Sequence, residues 1–275
     1  MKLPISYGRQ YISDGDIQAV VETLKSDYLT CGPKIPEFEQ AFCEYVHAKY
    51  SVAVCNATAA LHIAAMALGV KEGDNVICTP MTFASSANCI RFCGGNVKFV
   101  DIDPETYLLD INKLKEILST APKGTYKGMV LVDFAGYPHN MEEYRKVADE
   151  YGMWILEDAC HAPGAYFIDS TGERVYCGCG KYSDITVFSF HPVKHITTGE
   201  GGMACTQNKE YYEKMALYRT HGITHEAEKL QREDGLWYYE MQELGYNYRI
   251  TDIQAALGTS QLKRARKNVE IRREL

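Results

Sequence analysis

The sequence predicts an α/β fold in which helices flank a mostly parallel sheet, and three observations predict it. From Tyr50 onward, short β-branched or apolar runs alternate with longer amphipathic stretches, the succession strand, helix, strand. With 275 residues and 46% hydrophobic content, the chain can bury one large core. No stretch reaches the roughly 20 consecutive apolar residues of a membrane span, and Met1-Lys2-Leu3-Pro4 lacks the apolar run of a signal peptide, so a cytoplasmic protein is expected.

Two helices come first, at 14–26, capped by Ser13, and at 36–47. The alternation follows: strand 51–55 and helix 59–68, strand 75–79 and helix 85–93, strand 97–100 and helix 112–118, strand 129–132 and helix 141–151, then strand 154–156. Close-set strands at 184–190 and 202–206 precede helices at 210–218 and 252–267. The last residues, 268–275, are helix formers without a Gly or Pro stop signal. The expected organisation is a large domain with its N-terminal helices over 1–260, and over 261–275 the start of a C-terminal segment that this chain cuts short. In parallel sheets of this kind ligands bind at the carboxyl ends of the strands.

The net charge of -7 is spread along the chain, so no basic footprint selects nucleic acid or an anionic membrane. The ten cysteines sit mostly in apolar periodic segments, as do Cys43, Cys55, Cys78 and Cys205, and read as thiols. Cys177-Gly-Cys179 has neither zinc spacing nor a matching second pair. His191 and His195 have the spacing of a helical metal pair, but Pro192 falls between them. No metal is expected.

Five segments could carry chemistry. Asn56-Ala57-Thr58-Ala59 follows a strand and opens a helix, which makes either a phosphate cup or an ordinary helix cap. Glu157-Asp158 follows a strand, with His161 three residues on; an acid there can keep a pyridinium nitrogen protonated, or merely cap a helix. Lys194 lies among aromatic and apolar neighbours in Ser189-Phe-His-Pro-Val-Lys-His-Ile-Thr-Thr-Gly-Glu-Gly-Gly202, where desolvation can lower an amine pKa enough for Schiff-base chemistry. Most lysines are simply solvated. Phe83, just past a strand end, is a core aromatic or a ring that stacks on a flat cofactor. Asn247, in Gly245-Tyr-Asn-Tyr-Arg249, is a turn residue or a polar contact among aromatics.

In this order the segments resemble the DegT/DnrJ/EryC1/StrS aminotransferases, over nearly the whole chain. The runs 181–202, 237–258 and 29–33 are similar to the branch that makes the precursor of pseudaminic acid. The resemblance implies a fold-type I, pyridoxal 5'-phosphate-dependent large domain with its small C-terminal domain largely absent. It implies a UDP-linked 4-keto-6-deoxy-N-acetyl-β-L-altrosamine as substrate, L-glutamate as amino donor, and a homodimer with shared active sites. By position, Lys194 would hold the cofactor covalently and move the proton, and Asp158 would pair with the pyridine nitrogen. Phe83 would stack on the ring, and His161 would lie near its phenolic oxygen. Thr58, Ala59 and Ser189 would bind the phosphate, and Asn247 would reach in from the neighbouring subunit. Tyr7, Asp27, Tyr28, Leu29, Thr30 and Ala57 match positions that contact the nucleotide sugar or its adduct. Arg219 and Arg249 are candidates for the glutamate carboxylates. A family dehydratase replaces the lysine with histidine, which Lys194 argues against. Another nucleotide-sugar 3- or 4-aminotransferase, or a non-catalytic cofactor-binding protein, are the competing readings.

Overall fold

The computed structural model describes residues 8–232, 235 and 237–274. Ser13 starts α1 (Asp14–Leu24) with a reciprocal capping box, its hydroxyl taking the Asp16 N-H while the Asp16 carboxylate takes its own N-H at 2.8 Å. Next come α2 (Lys34–Val46), β1 (Tyr50–Val54), α3 (Ala57–Ala67), β2 (Asn75–Cys78), α4 (Ala84–Phe92), β3 (Asn96–Phe99), α5 (Ile111–Thr120), β4 (Tyr126–Val132), α6 (Met141–Tyr151) and β5 (Trp154–Asp158). A hairpin of β6 (Tyr166–Ile168) and β7 (Arg174–Tyr176) precedes β8 (Ile185–Ser189), β9 (Gly202–Thr206) and α7 (Lys209–Arg219). The chain continues through β10 (Ile223–Thr224) and β11 (Glu240–Met241) to α8 (Asp252–Leu262) and α9 (Ala265–Glu274).

The main sheet has seven strands in the order β1-β9-β8-β5-β4-β2-β3. Only β9 runs against the rest, pairing antiparallel with both β1 and β8, so the mostly parallel expectation holds. Both faces are covered, and the period-two alternation of side chains divides the core between them. Val52, Val54, Leu156 and Val187 face the alanine-rich α3, whereas Ala53, Phe188, Met203 and Cys205 meet Phe38 and Phe42 of α2. A third group, including Ile77, Met129, Leu131 and Ile155, packs under α5 and α6. All ten cysteines are free thiols, with Cys43, Cys78 and Cys205 buried in this core. Among the described residues, no helix is long and apolar enough to cross a membrane.

Three features depart from the sequence expectations. Strand β5 does not stop at Leu156 but runs through Glu157 and Asp158, which pair with Leu131 and Val132 of β4. The expected helix 252–267 breaks at Lys263–Arg264, where the Arg264 guanidinium turns to the fully buried Asp16 carboxylate, which also takes the Gln261 amide at 2.9 Å. Both two-stranded pairs, β6–β7 and β10–β11, were absent from the sequence reading.

Candidate active site

Because β5 alternates faces, its two carboxylates separate. Asp158 lies on the α3 side with Leu156, and Glu157 on the opposite side with Ile155. Asp158 is buried at the carboxyl end of the strand and accepts the Ser86 hydroxyl on Oδ2 at 2.5 Å and the Cys160 N-H on Oδ1 at 3.2 Å. The Thr82 hydroxyl stands 2.7 Å from Ser86 Oγ. The neighbouring Ser85 hydroxyl is 2.7 Å from Thr58 Oγ1 in the first turn of α3. Consecutive serines of α4 therefore tie Asp158 and Thr58 to one scaffold, with Phe83 at its N-cap. Phe83 is 76% exposed, which leaves its ring available for stacking.

Lys194 follows β8 on the adjacent strand end and is half-buried. Burial lowers its pKa, opposed by Cys160 and by the Asp158 carboxylate, so its amine shares an electrostatic environment with that carboxylate. His161 feels the same groups: burial lowers its pKa, helped by Lys194 and opposed by Asp158. Its Nδ1 accepts the Ala135 N-H at 3.2 Å, which leaves the proton on Nε2.

An anion cradle stands beside these groups. Ser189 pairs across the sheet with Gly202. A Cβ on Gly202 would come within 2.6 Å of the Asn56 carbonyl carbon and 2.7 Å of the Ala57 nitrogen, so only glycine lets β9 approach the start of α3 this closely. Ser189 and the first amides of α3 are thereby neighbours, and helix N-termini favour anions. The cap itself is Asn56, whose side chain takes the Ala59 N-H at 2.8 Å. The Ala59 amide is thus already engaged, leaving the Thr58 hydroxyl and the amides before it. A flat ring bearing a carbonyl and a phosphate fits this set: amine, carboxylate, exposed aromatic face and helix N-terminus.

The remaining sequence candidates are not joined to this group by hydrogen bonds among the described residues. Asp27, Tyr28, Leu29 and Thr30 are held instead at the start of α8, where Leu29 O accepts the Asp252 N-H and Thr30 bridges Thr251. Asn247 is exposed and bridges Thr220. Tyr7 lies outside the described residues. Arg219 is committed elsewhere, to Glu39 at 2.5 Å and the Ala53 carbonyl at 2.9 Å, whereas Arg249 has no ionic partner among the described residues. Ser85 and Ser86 went unnoticed in the sequence; the hydroxyl-rich run Thr82-Phe-Ala-Ser-Ser86 was the available signal.

Behind β5, Glu157 Oε2 accepts the Ser183 and Thr186 hydroxyls at 2.8 and 2.7 Å. Asp133 Oδ1 accepts the His139 N-H and ring Nδ1-H at 3.1 and 2.9 Å. Carboxylate oxygens of these two acids and the Cys177 sulfur lie within 4.8 Å of one another, all buried, while Asp133 Oδ2 has no hydrogen-bond partner. A proton shared between the two acids would supply the missing donor. Burial, then the Asp133 charge beside it, pushes Glu157 up to about 8 from 4.5. Burial likewise pushes Asp133 up to about 7. Between the unfolded and folded values the native chain binds more protons, so stability falls as pH rises through that window. Glu157→Gln, whose amide can donate to Asp133, is expected to flatten this slope by up to about 1.4 kcal/mol per pH unit, read as melting temperature against pH from 5 to 8.5.

A model of the DegT/DnrJ/EryC1/StrS aminotransferase family matches residues 10–275. Over 272 residues the chain is 41% identical to the UDP-4-amino-4,6-dideoxy-N-acetyl-beta-L-altrosamine transaminase of Campylobacter jejuni, covering 98% of this chain and 67% of that one. The structure of Helicobacter pylori PseC, an aminotransferase involved in the biosynthesis of pseudoaminic acid, superposes with a TM-score of 0.83 at 32% identity, covering 94% of this chain and 65% of the other. That of the putative sugar aminotransferase Spr1654 from Streptococcus pneumoniae, in its PMP form, gives 0.86 at 29% identity, with 98% and 70% covered. The chain spans 64% to 67% of the length of the curated relatives it matches.

Proposed function

The chain belongs to the DegT/DnrJ/EryC1/StrS aminotransferase family, and from that premise we propose that it transfers an amino group from L-glutamate to the C4 ketone of a UDP-linked 4-keto-6-deoxy-N-acetylhexosamine, with pyridoxal 5'-phosphate as cofactor. The observation that carries this reading is the convergence of Lys194 and Asp158 at adjacent strand ends, with Thr58 tied to Asp158 through the consecutive Ser85 and Ser86. The sugar class rests on the similarity to the Campylobacter transaminase, whose name states the 4-amino sugar that such a transfer would yield.

When bound, the cofactor supplies a carbonyl that takes up the amino group and a ring that accepts the electron pair left on the substrate carbon. Lys194 would anchor it and, with an amine whose pKa is lowered by burial, would remove a proton from the substrate carbon and return it in the other half of the reaction. Asp158, oriented by Ser86, would hold the proton of the ring nitrogen in place. Phe83 would stack on the ring, and His161 Nε2-H would donate toward the phenolic oxygen. Thr58, Ser189 and the first amides of α3 would hold the phosphate, whereas the Ala59 amide is taken by the Asn56 side chain.

The site is completed by a second copy, which brings Asn247. Trp237, Met241 and Leu244, near Asn247 in sequence, are 72%, 67% and 71% exposed, apolar surface that a dimer would cover. Tyr7, Asp27, Tyr28, Leu29, Thr30 and Ala57 serve the nucleotide sugar. The reading is tested by adding glutamate alone to the cofactor-loaded chain: the bound aldehyde form is expected to convert to the amine form with release of one 2-oxoglutarate per site, and an unchanged absorption spectrum would refute it.

A further inference from the structure

Lys194 also lines a cavity of about 200 Å³, bounded chiefly by Arg9, His195, Gln261, Asn268 and Arg272. None of the described residues around it is acidic. Arg9 and Arg272 are exposed, and neither has a carboxylate partner among the described residues. The other arginine at this corner, Arg264, is consumed by Asp16, and the Gln261 amide nitrogen is likewise committed to Asp16 and to Tyr11 O. His195 Nδ1 is buried without a partner. Burial lowers the His195 pKa to about 4, and Arg272, His161 and Lys194 act in the same direction, so its ring is neutral at pH 7. Two guanidiniums, an amine and a carboxamide thus face one space with no balancing anion among the described residues, a set that recognises planar or tetrahedral oxyanions through bidentate hydrogen bonds.

We propose that Arg9 and Arg272 form an oxyanion subsite beside Lys194, which takes a carboxylate of the amino donor or a phosphate of the nucleotide sugar. This rests on the reading of Lys194 as the reacting amine. Neither arginine supports the fold through an ion pair, so both can be replaced without removing a partner from a buried group.

The test titrates the cofactor-loaded protein with glutarate and, separately, with UDP, for the wild type, Arg9→Gln, Arg272→Gln and the double variant. Lys267→Gln, which removes the same charge from the same helix away from the cavity, is the control. The expected result is about ten-fold weaker binding of at least one ligand in the single variants, more in the double variant, and a shallower salt dependence, with the control within about two-fold. Loss confined to glutarate assigns the subsite to the donor carboxylate, and loss confined to UDP assigns it to phosphate. Affinities unchanged for both ligands in the double variant overturn the subsite. Borohydride fixation of the cofactor on the same samples separates the two layers: a wild type that shows none on Lys194 overturns the underlying reading instead.

Discussion

Lys194→Ala is expected to lower amino-group transfer by about ten-thousand-fold or more, because one substitution removes both the covalent anchor and the group that moves the proton. The fold should not suffer. The Lys194 amine has no hydrogen bond or ion pair among the described residues, and removing a half-buried amine whose pKa is already lowered by burial relieves a desolvation cost. The cofactor-free variant should therefore melt at or above the wild-type temperature. Activity loss with an unchanged melt, measured by 2-oxoglutarate release and calorimetry, separates a chemical role from a structural one.

Asp158→Asn is the second large effect, expected to cost roughly a hundred-fold to several-thousand-fold in turnover, the rate equivalent of about 3–5 kcal/mol for leaving a buried charged group without its partner. Asparagine keeps the shape and can still accept the Ser86 hydroxyl, so the loss is one of charge rather than packing. A second readout has a fixed sign. Asp158 raises the Lys194 pKa against the effect of burial, so neutralising it lowers that pKa further. In the cofactor-free chain the Lys194 amine should then be modified by amine-selective reagents faster at a given pH, with its titration moved toward acid. A pKa moved the other way would place Asp158 elsewhere in the scheme.

Much of the sheet was legible because its strands are plain apolar runs ended by turn residues, and Gly202–Thr206 and Met141–Tyr151 fall where the pattern puts them. The end of β5 was not. Two adjacent carboxylates look like a loop, and they become strand only because hydroxyls of Ser86, Ser183 and Thr186, 26 to 72 residues away, meet them in the fold. The break between α8 and α9 was equally hidden: no glycine or proline marks it, and Arg264 turns aside to a carboxylate 248 residues earlier. The site followed the same division. Lys194, Asp158 and the turn before Thr58 were visible as chemistry at strand ends, whereas the serines of α4 that brace them carry no distinctive local pattern. The cationic cavity could not be read at all, since Arg9 and Arg272 meet only through the packing of the two chain ends.

Whether Lys194 holds the cofactor is decided by borohydride reduction of the cofactor-loaded chain followed by peptide mass spectrometry. One pyridoxyl-phosphate group is expected on the peptide containing Lys194. Its appearance on another lysine, or on none, would contradict that role.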